Sequence, residues 1–249
     1  MKGRYIDETA ILDYNHASIQ KLIDERGWRN LSDKHTVKEI YYFLRDEIKF
    51  GYNRDDTISA SEVLASRYGQ CNTKSTLFMA LLRALKIPCR FHGFTIYNAS
   101  QSGAIPVYLM PMAPKRILHS WVEVLLADEW LNVEGYIIDQ EFLVQVQAAF
   151  PDRKNFSGYG ISVPCLQKPN NEFDGNDTYI QADGIADDFG RFDAPDEFYA
   201  KYGTNLRGLK KILYRYVLRH LMNHNVNCIR KNGLKAQSTR PGRRRAGPK

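Results

Sequence analysis

The sequence predicts an α+β domain: helices first, then an antiparallel sheet, then one more helix near the C-terminus. Three observations carry that expectation. Apolar residues recur at helical spacing through the first third of the chain, the pattern turns to strands after Ile87-Pro88, and helical spacing returns after Leu206. The 249 residues are 43% hydrophobic and 25% charged, ordinary globular values that exclude collagen-like and wholly disordered classes. A chain of this length can bury a sizeable core.

Taken in order, Ile19, Leu22 and Ile23 mark a first helix after Asp13-Tyr14-Asn15. Val37, Ile40, Tyr41, Leu44 and Ile48 share one face of a second. Ser59-Ala60-Ser61-Glu62 has capping-box spacing and opens a third, which stops at Gly69. A longer helix begins near Cys71, with Leu77, Phe78, Leu81, Leu82 and Leu85 as its buried stripe, and Ile87-Pro88 ends it. Strands are expected at Cys89 to Tyr97, His119 to Leu126 and Glu129 to Ile138, with Ala127-Asp128 turning between the last two. The connection from Asn98 to Arg116 carries three prolines and is long enough to border a site.

Residues 151–205 are rich in Gly, Asp and Asn. Between Glu172 and Glu197 nine acids face one base, Arg191, which predicts a solvated acidic loop. A last helix is expected from about Leu206 to Asn223. Leu209, Ile212, Leu213, Tyr216, Val217 and Leu221 form its apolar face, and Arg207, Lys211, Arg215 and Arg219 a solvated basic stripe. One domain is expected over 1–229, followed by a basic, disordered tail over 230–249.

The formal net charge of +7 resides in that tail. Its eight Lys or Arg residues and no acid leave 27 basic and 28 acidic residues in the body, so a nucleic-acid-binding fold is not expected. The longest unbroken apolar run, Leu77 to Leu82, is six residues, against about 20 for a bilayer span. No membrane partner is expected. No apolar signal core follows Met1-Lys2-Gly3-Arg4, so a cytoplasmic location is expected, with Cys71, Cys89, Cys165 and Cys228 as free thiols. No two of these form a C-x-x-C pair, and His220 and His224 have no third ligand nearby in the sequence. Neither a metal nor another cofactor is expected.

The chemistry concentrates around Cys71. A cysteine in the first turn of an apolar helix meets unpaired N–H groups and the positive end of the helix dipole, both of which favour its thiolate. The same N–H groups can hold an oxyanion if the sulfur attacks a carbonyl. A thiolate nucleophile needs an imidazole, and the imidazole needs an orienting acceptor. Strand alternation places His119, Trp121 and Glu123 on one face, and Trp130, Asn132 and Glu134 on one face of the next strand. Pairing through the short turn makes His119 and Glu134 near neighbours.

Four blocks occur in order: Gly69-x-Cys71, Arg83-Ala84-x-x-Ile87-Pro88-x-Arg90, His119-x-Trp121-x-Glu123 and Trp130-x-x-x-Glu134. Together they resemble the transglutaminase-like superfamily of cysteine enzymes over about residues 35–140. The resemblance implies a papain-like α+β core, with the nucleophile helix packed on an antiparallel sheet. It makes Cys71 the nucleophile, His119 the general base and acid, and Glu134 the orienting carboxylate. The family has Asp at the last position, with a Pro after it where this chain has Gly135. Asn132 and Asp139 therefore stand as alternatives for orienting His119. Gln70, Trp121 and Trp130 are expected to line the site. The implied function is a thiol enzyme acting on an amide or peptide carbonyl of a protein or peptide substrate through a cysteine thioester, with water (hydrolysis) or an amine (acyl transfer) as acceptor. The alternative is a catalytically inactive peptide- or protein-binding module on the same fold.

Overall fold

The computed structural model describes residues 5–234. The basic tail therefore lies mostly outside the described residues. The N-terminal third forms α1 (Ala17–Glu25), α2 (Asp33–Asp46), α3 (Ala60–Ser66) and α4 (Cys71–Ala84), with β1 (Lys49–Phe50) and β2 (Tyr68–Gly69) pairing in parallel just before α4. Ser59 caps α3 by accepting the Glu62 N–H, a contact typically worth about 1 kcal/mol.

Every residue of α4 is buried, not only its apolar stripe. Its polar side chains find partners inside the protein, as buried polar groups must. Thr73 Oγ1 donates to Asn53 Oδ1 at 2.6 Å, Lys74 Nζ to the Ile137 carbonyl at 3.0 Å, and the Ser75 hydroxyl bonds that of Tyr136 at 2.8 Å.

Against α4 lies an antiparallel sheet of four strands in the order β5-β4-β3-β8, comprising β3 (Cys89–Tyr97), β4 (Arg116–Leu126), β5 (Glu129–Val133) and β8 (Ile185–Phe192). The first of these has the bounds the sequence predicts. The third expected strand stops at Val133, five residues early, because the chain turns sharply there and the Ile137 N–H bonds the Glu134 carbonyl. Gly135 permits that turn: a Cβ on it would lie 2.8 Å from Asn171 Cα and would also collide with the Tyr41 hydroxyl. Gly135→Ala should lower stability by about 1–3 kcal/mol, seen as a melting temperature several degrees below the parent.

The acidic segment is not a solvated loop throughout. It forms the hairpin β6 (Phe156–Gly158) and β7 (Ile161–Val163), then β8, which completes the sheet beside β3. Two of its aspartates are spent on that docking: Asp187 accepts from Thr95 and pairs with Arg116, and Asp188 meets His92 Nε2 at 2.9 Å. Two helices in this half have no counterpart in the sequence reading, α5 (Gln140–Ala149) and α6 (Pro195–Tyr202). Asp139 caps α5 by accepting the Phe142 N–H.

The C-terminal helix, α7, runs through Gly208–Leu213, a π-helical turn Tyr214–Leu218, and Arg219–Asn232. It continues nine residues past the expected end and stops at Gly233, whose φ of 71° suits a residue without Cβ. Its first half is docked the other way round from the expectation. Lys211 and Arg215 pair with buried Asp55 at 2.6 and 3.1 Å, and Arg219 donates to the Tyr68 hydroxyl. Leu209 and Tyr216 are 84% and 68% exposed. A buried carboxylate without a cation is more unfavourable than an aliphatic chain in water, so the cationic stripe turns inward. No helix among the described residues is long and apolar enough to cross a membrane.

Candidate active site

Three elements meet at Cys71. Its helix begins immediately after β2, and Gly69 is required there, since a Cβ would come within 2.8 Å of Thr73 Oγ1 and 2.9 Å of Lys74 Cγ. Gln70 is the N-cap. Its side chain and that of Thr73 close a reciprocal capping box, while its Oε1 accepts from the Asn53 N–H and its Nε2 donates to Asp56. Cys71 is 8% exposed, and its N–H is one of the first-turn amides that α4 leaves without an intrahelical partner.

His119, on β4, is fully buried. Its Nε2 lies 2.6 Å from Glu134 Oε1. The other oxygen of Glu134 accepts the N–H groups of Ile180 and Gln181, both at 2.9 Å, so the carboxylate is fixed from behind. Val122 pairs with Val133 at the end of β5, and Glu134 follows directly, its N–H bonding the Thr178 carbonyl.

Of the other orienting candidates, neither reaches His119. Asn132 donates to Asp177 Oδ2 at 3.1 Å and to the Tyr179 hydroxyl at 3.0 Å. Asp139 caps α5, accepts the Phe50 N–H and pairs with Arg230 at 2.7 Å.

The second ring nitrogen of His119, Nδ1, has no hydrogen bond of ordinary geometry. Burial opposes a charge on the imidazole, but the Cys71 sulfur, as a charge and as a hydrogen-bonding group, and the Glu134 carboxylate outweigh it and push the His119 pKa up to about 10.

The lining expectations divide. Gln70 borders the cavity at Cys71, but Trp121 and Trp130 do not. Trp121 shares the His119 face of β4 and packs against Phe94, His92 and Tyr179. Trp130 sits at the far end of the hairpin, with the Arg90 guanidinium over its ring at 4.0 Å. Arg90 in turn pairs with buried Glu123, its partner across the β3–β4 ladder. These motif residues hold the sheet together.

Sequence reasoning missed the groups that fix the helix against the sheet. Asn72, the residue after the cysteine, is fully buried. Its amide donates to Asp56 and to the Leu118 carbonyl, and its oxygen accepts from Ser120, thereby tying the start of α4 to both neighbours of His119. Asp56 is buried as well. Burial raises its pKa, against donors from Asn72, Gln70 and Asn205. Thr178 to Gln181, an island with Tyr179 and Ile180 inside the acidic segment, supplies the amides behind Glu134; that apolar pair was the available signal.

A helix-borne cysteine facing a strand-borne histidine, on an α+β core, is the architecture of a thiol-enzyme family. Residues 28–135 match the family model of the transglutaminase-like superfamily. The match takes in all four sequence blocks. A solved structure from Cytophaga hutchinsonii, named provisionally as a cysteine protease, is similar at 14% identity and a TM-score of 0.44, over 78% of this chain and 47% of that one. This chain thus spans about half the length of that protein. No curated protein matches the sequence.

Proposed function

We propose that the protein is a cysteine-dependent hydrolase or acyltransferase acting on an amide or peptide carbonyl. The observation that carries this reading is the buried His119, held by Glu134 on one nitrogen, on the strand that packs against the helix opened by Cys71.

The Cys71 thiolate adds to the carbonyl carbon, and the electron pair of the C=O bond moves to oxygen. N–H groups at the start of α4 are placed to receive that oxyanion. Collapse breaks the C–N bond, and the departing amine takes the proton of the His119 imidazolium. The acyl group remains on sulfur as a thioester. Water or a second amine then gives a proton to His119, attacks the thioester and releases the thiolate. Glu134 holds the ring in register through both halves.

Iodoacetamide should label Cys71 at least about tenfold faster than the other three thiols at neutral pH, read by peptide mass spectrometry. Cys165 and Cys228 are more exposed than Cys71, so accessibility alone would give the reverse order. Equal labelling, or labelling in order of exposure, would reject the reading.

A further inference from the structure

Cys71 borders a cavity of about 120 Å³ whose composition is lopsided. The connection after β3 supplies Ile105 and Leu109, the sheet supplies Ile96 and Ile117, and α7 closes the opposite wall with Leu218 and Met222. An apolar cavity of roughly 150 Å³ stays dry and takes up benzene, so a void of this size and lining fits a branched aliphatic chain or a single ring. A carboxamide, ammonium or carboxylate pushed against those walls would lose its hydration without replacement.

Charged side chains border the cavity as well, and they are paired: Lys211 with Asp55, and Arg54 with Glu62. Asp56, Gln70 and Asn72 already satisfy one another. Gln181 also borders the cavity and is 1% exposed. Its N–H is bound to Glu134 and its amide nitrogen to the Gly160 carbonyl, but its Oε1 has no partner. A buried acceptor left open beside an apolar cavity is unfavourable unless a donor arrives to fill it.

We propose that the cavity is the acyl subsite of this enzyme: it takes an apolar side chain of leucine to phenylalanine size from the residue that supplies the carbonyl, and Gln181 Oε1 receives an N–H of that residue's backbone. This rests on the thiol-enzyme reading above and adds the substrate class to it. The acyl residue is the one assigned because it stays bonded to Sγ after the amine departs, and Cys71 is itself part of the cavity wall.

Two arms test it. In the first, acetyl-aminoacyl chloromethyl ketones alkylate Cys71, the sulfur displacing chloride. The Leu and Phe reagents should inactivate about tenfold or more faster than the Gln, Glu and Lys reagents, each rate being divided by the iodoacetamide rate. A naphthylalanine reagent should fall back below Phe. Leu109→Ala should shift the preference toward the larger ring. Selective iodoacetamide labelling of Cys71 with no apolar preference would overturn the subsite while leaving the nucleophile standing. In the second arm, Cys71→Ala protein is titrated with N-acetyl-leucinamide and N-acetyl-glutaminamide by chemical-shift perturbation. This arm needs no reactive thiol. Tighter leucinamide binding supports the subsite even if labelling fails, and equal or absent binding overturns it.

Discussion

Changing Glu134 to Gln is expected to slow amide turnover by about 10³-fold or more while leaving the melting temperature within a few degrees of the parent. The size of the effect follows from which atoms can donate. Ile180 and Gln181 present two backbone N–H groups at 2.9 Å to Glu134 Oε2. A glutamine must turn its only oxygen toward them, as its NH₂ cannot accept. The NH₂ then faces His119 Nε2 at the 2.6 Å contact now made by a carboxylate oxygen. His119 has to present a lone pair there, so its proton moves to Nδ1. The nitrogen left for the thiol proton is then already occupied, and the negative charge that supported the imidazolium is gone. The fold should persist because the two backbone donors keep their acceptor and no volume is lost. Steady-state turnover and thermal melting, measured on the same preparation, check both halves. Full activity in Glu134→Gln would remove the carboxylate from the mechanism.

That this site can be read so far from the chain reflects which interactions are local. The start of α4, the switch from helix to strand after Pro88 and the first strand of the sheet are set by neighbours within a few residues. All of them lie where the sequence places them. Alternation, together with pairing through the Ala127-Asp128 turn, makes His119 and Glu134 near neighbours. The choice between Glu134 and Asn132 rests on groups far along the chain: Asp177 and Tyr179 hold the Asn132 amide, and Ile180 and Gln181 hold the Glu134 carboxylate. The reversal of α7 is likewise non-local. Nothing near Arg215 in the sequence reveals that Asp55 is buried and needs cations, so an outward basic stripe was the natural expectation. The same holds for β8. Asp187 and Asp188 read as solvated until Arg116 and His92 are seen beside them.

The second large effect is expected at His119, as a function of pH. With its pKa pushed up to about 10, the imidazole stays protonated across the neutral range, opposed by burial but supported by Cys71 and Glu134. The folded protein therefore holds a proton that the unfolded chain, with an ordinary value of about 6.5, releases. The stability from this group is fully present below about pH 6.5 and is lost as pH rises through about 10. Lys74, one turn further along α4, slopes the other way. Burial lowers its pKa to about 7, against Asp139 and Asp46, so between about pH 7 and 10.5 the unfolded chain holds the extra proton and stability rises with pH. The two slopes overlap, which makes chemistry a cleaner readout than melting. The leaving amine needs the His119 proton, so kcat/KM should fall about tenfold per pH unit above about pH 10. In His119→Ala, which has no imidazole to carry the proton, amide turnover should fall by about 10³-fold or more at every pH. If turnover in the parent shows no decline near pH 10, or survives in His119→Ala, sulfur and imidazole do not act as a pair.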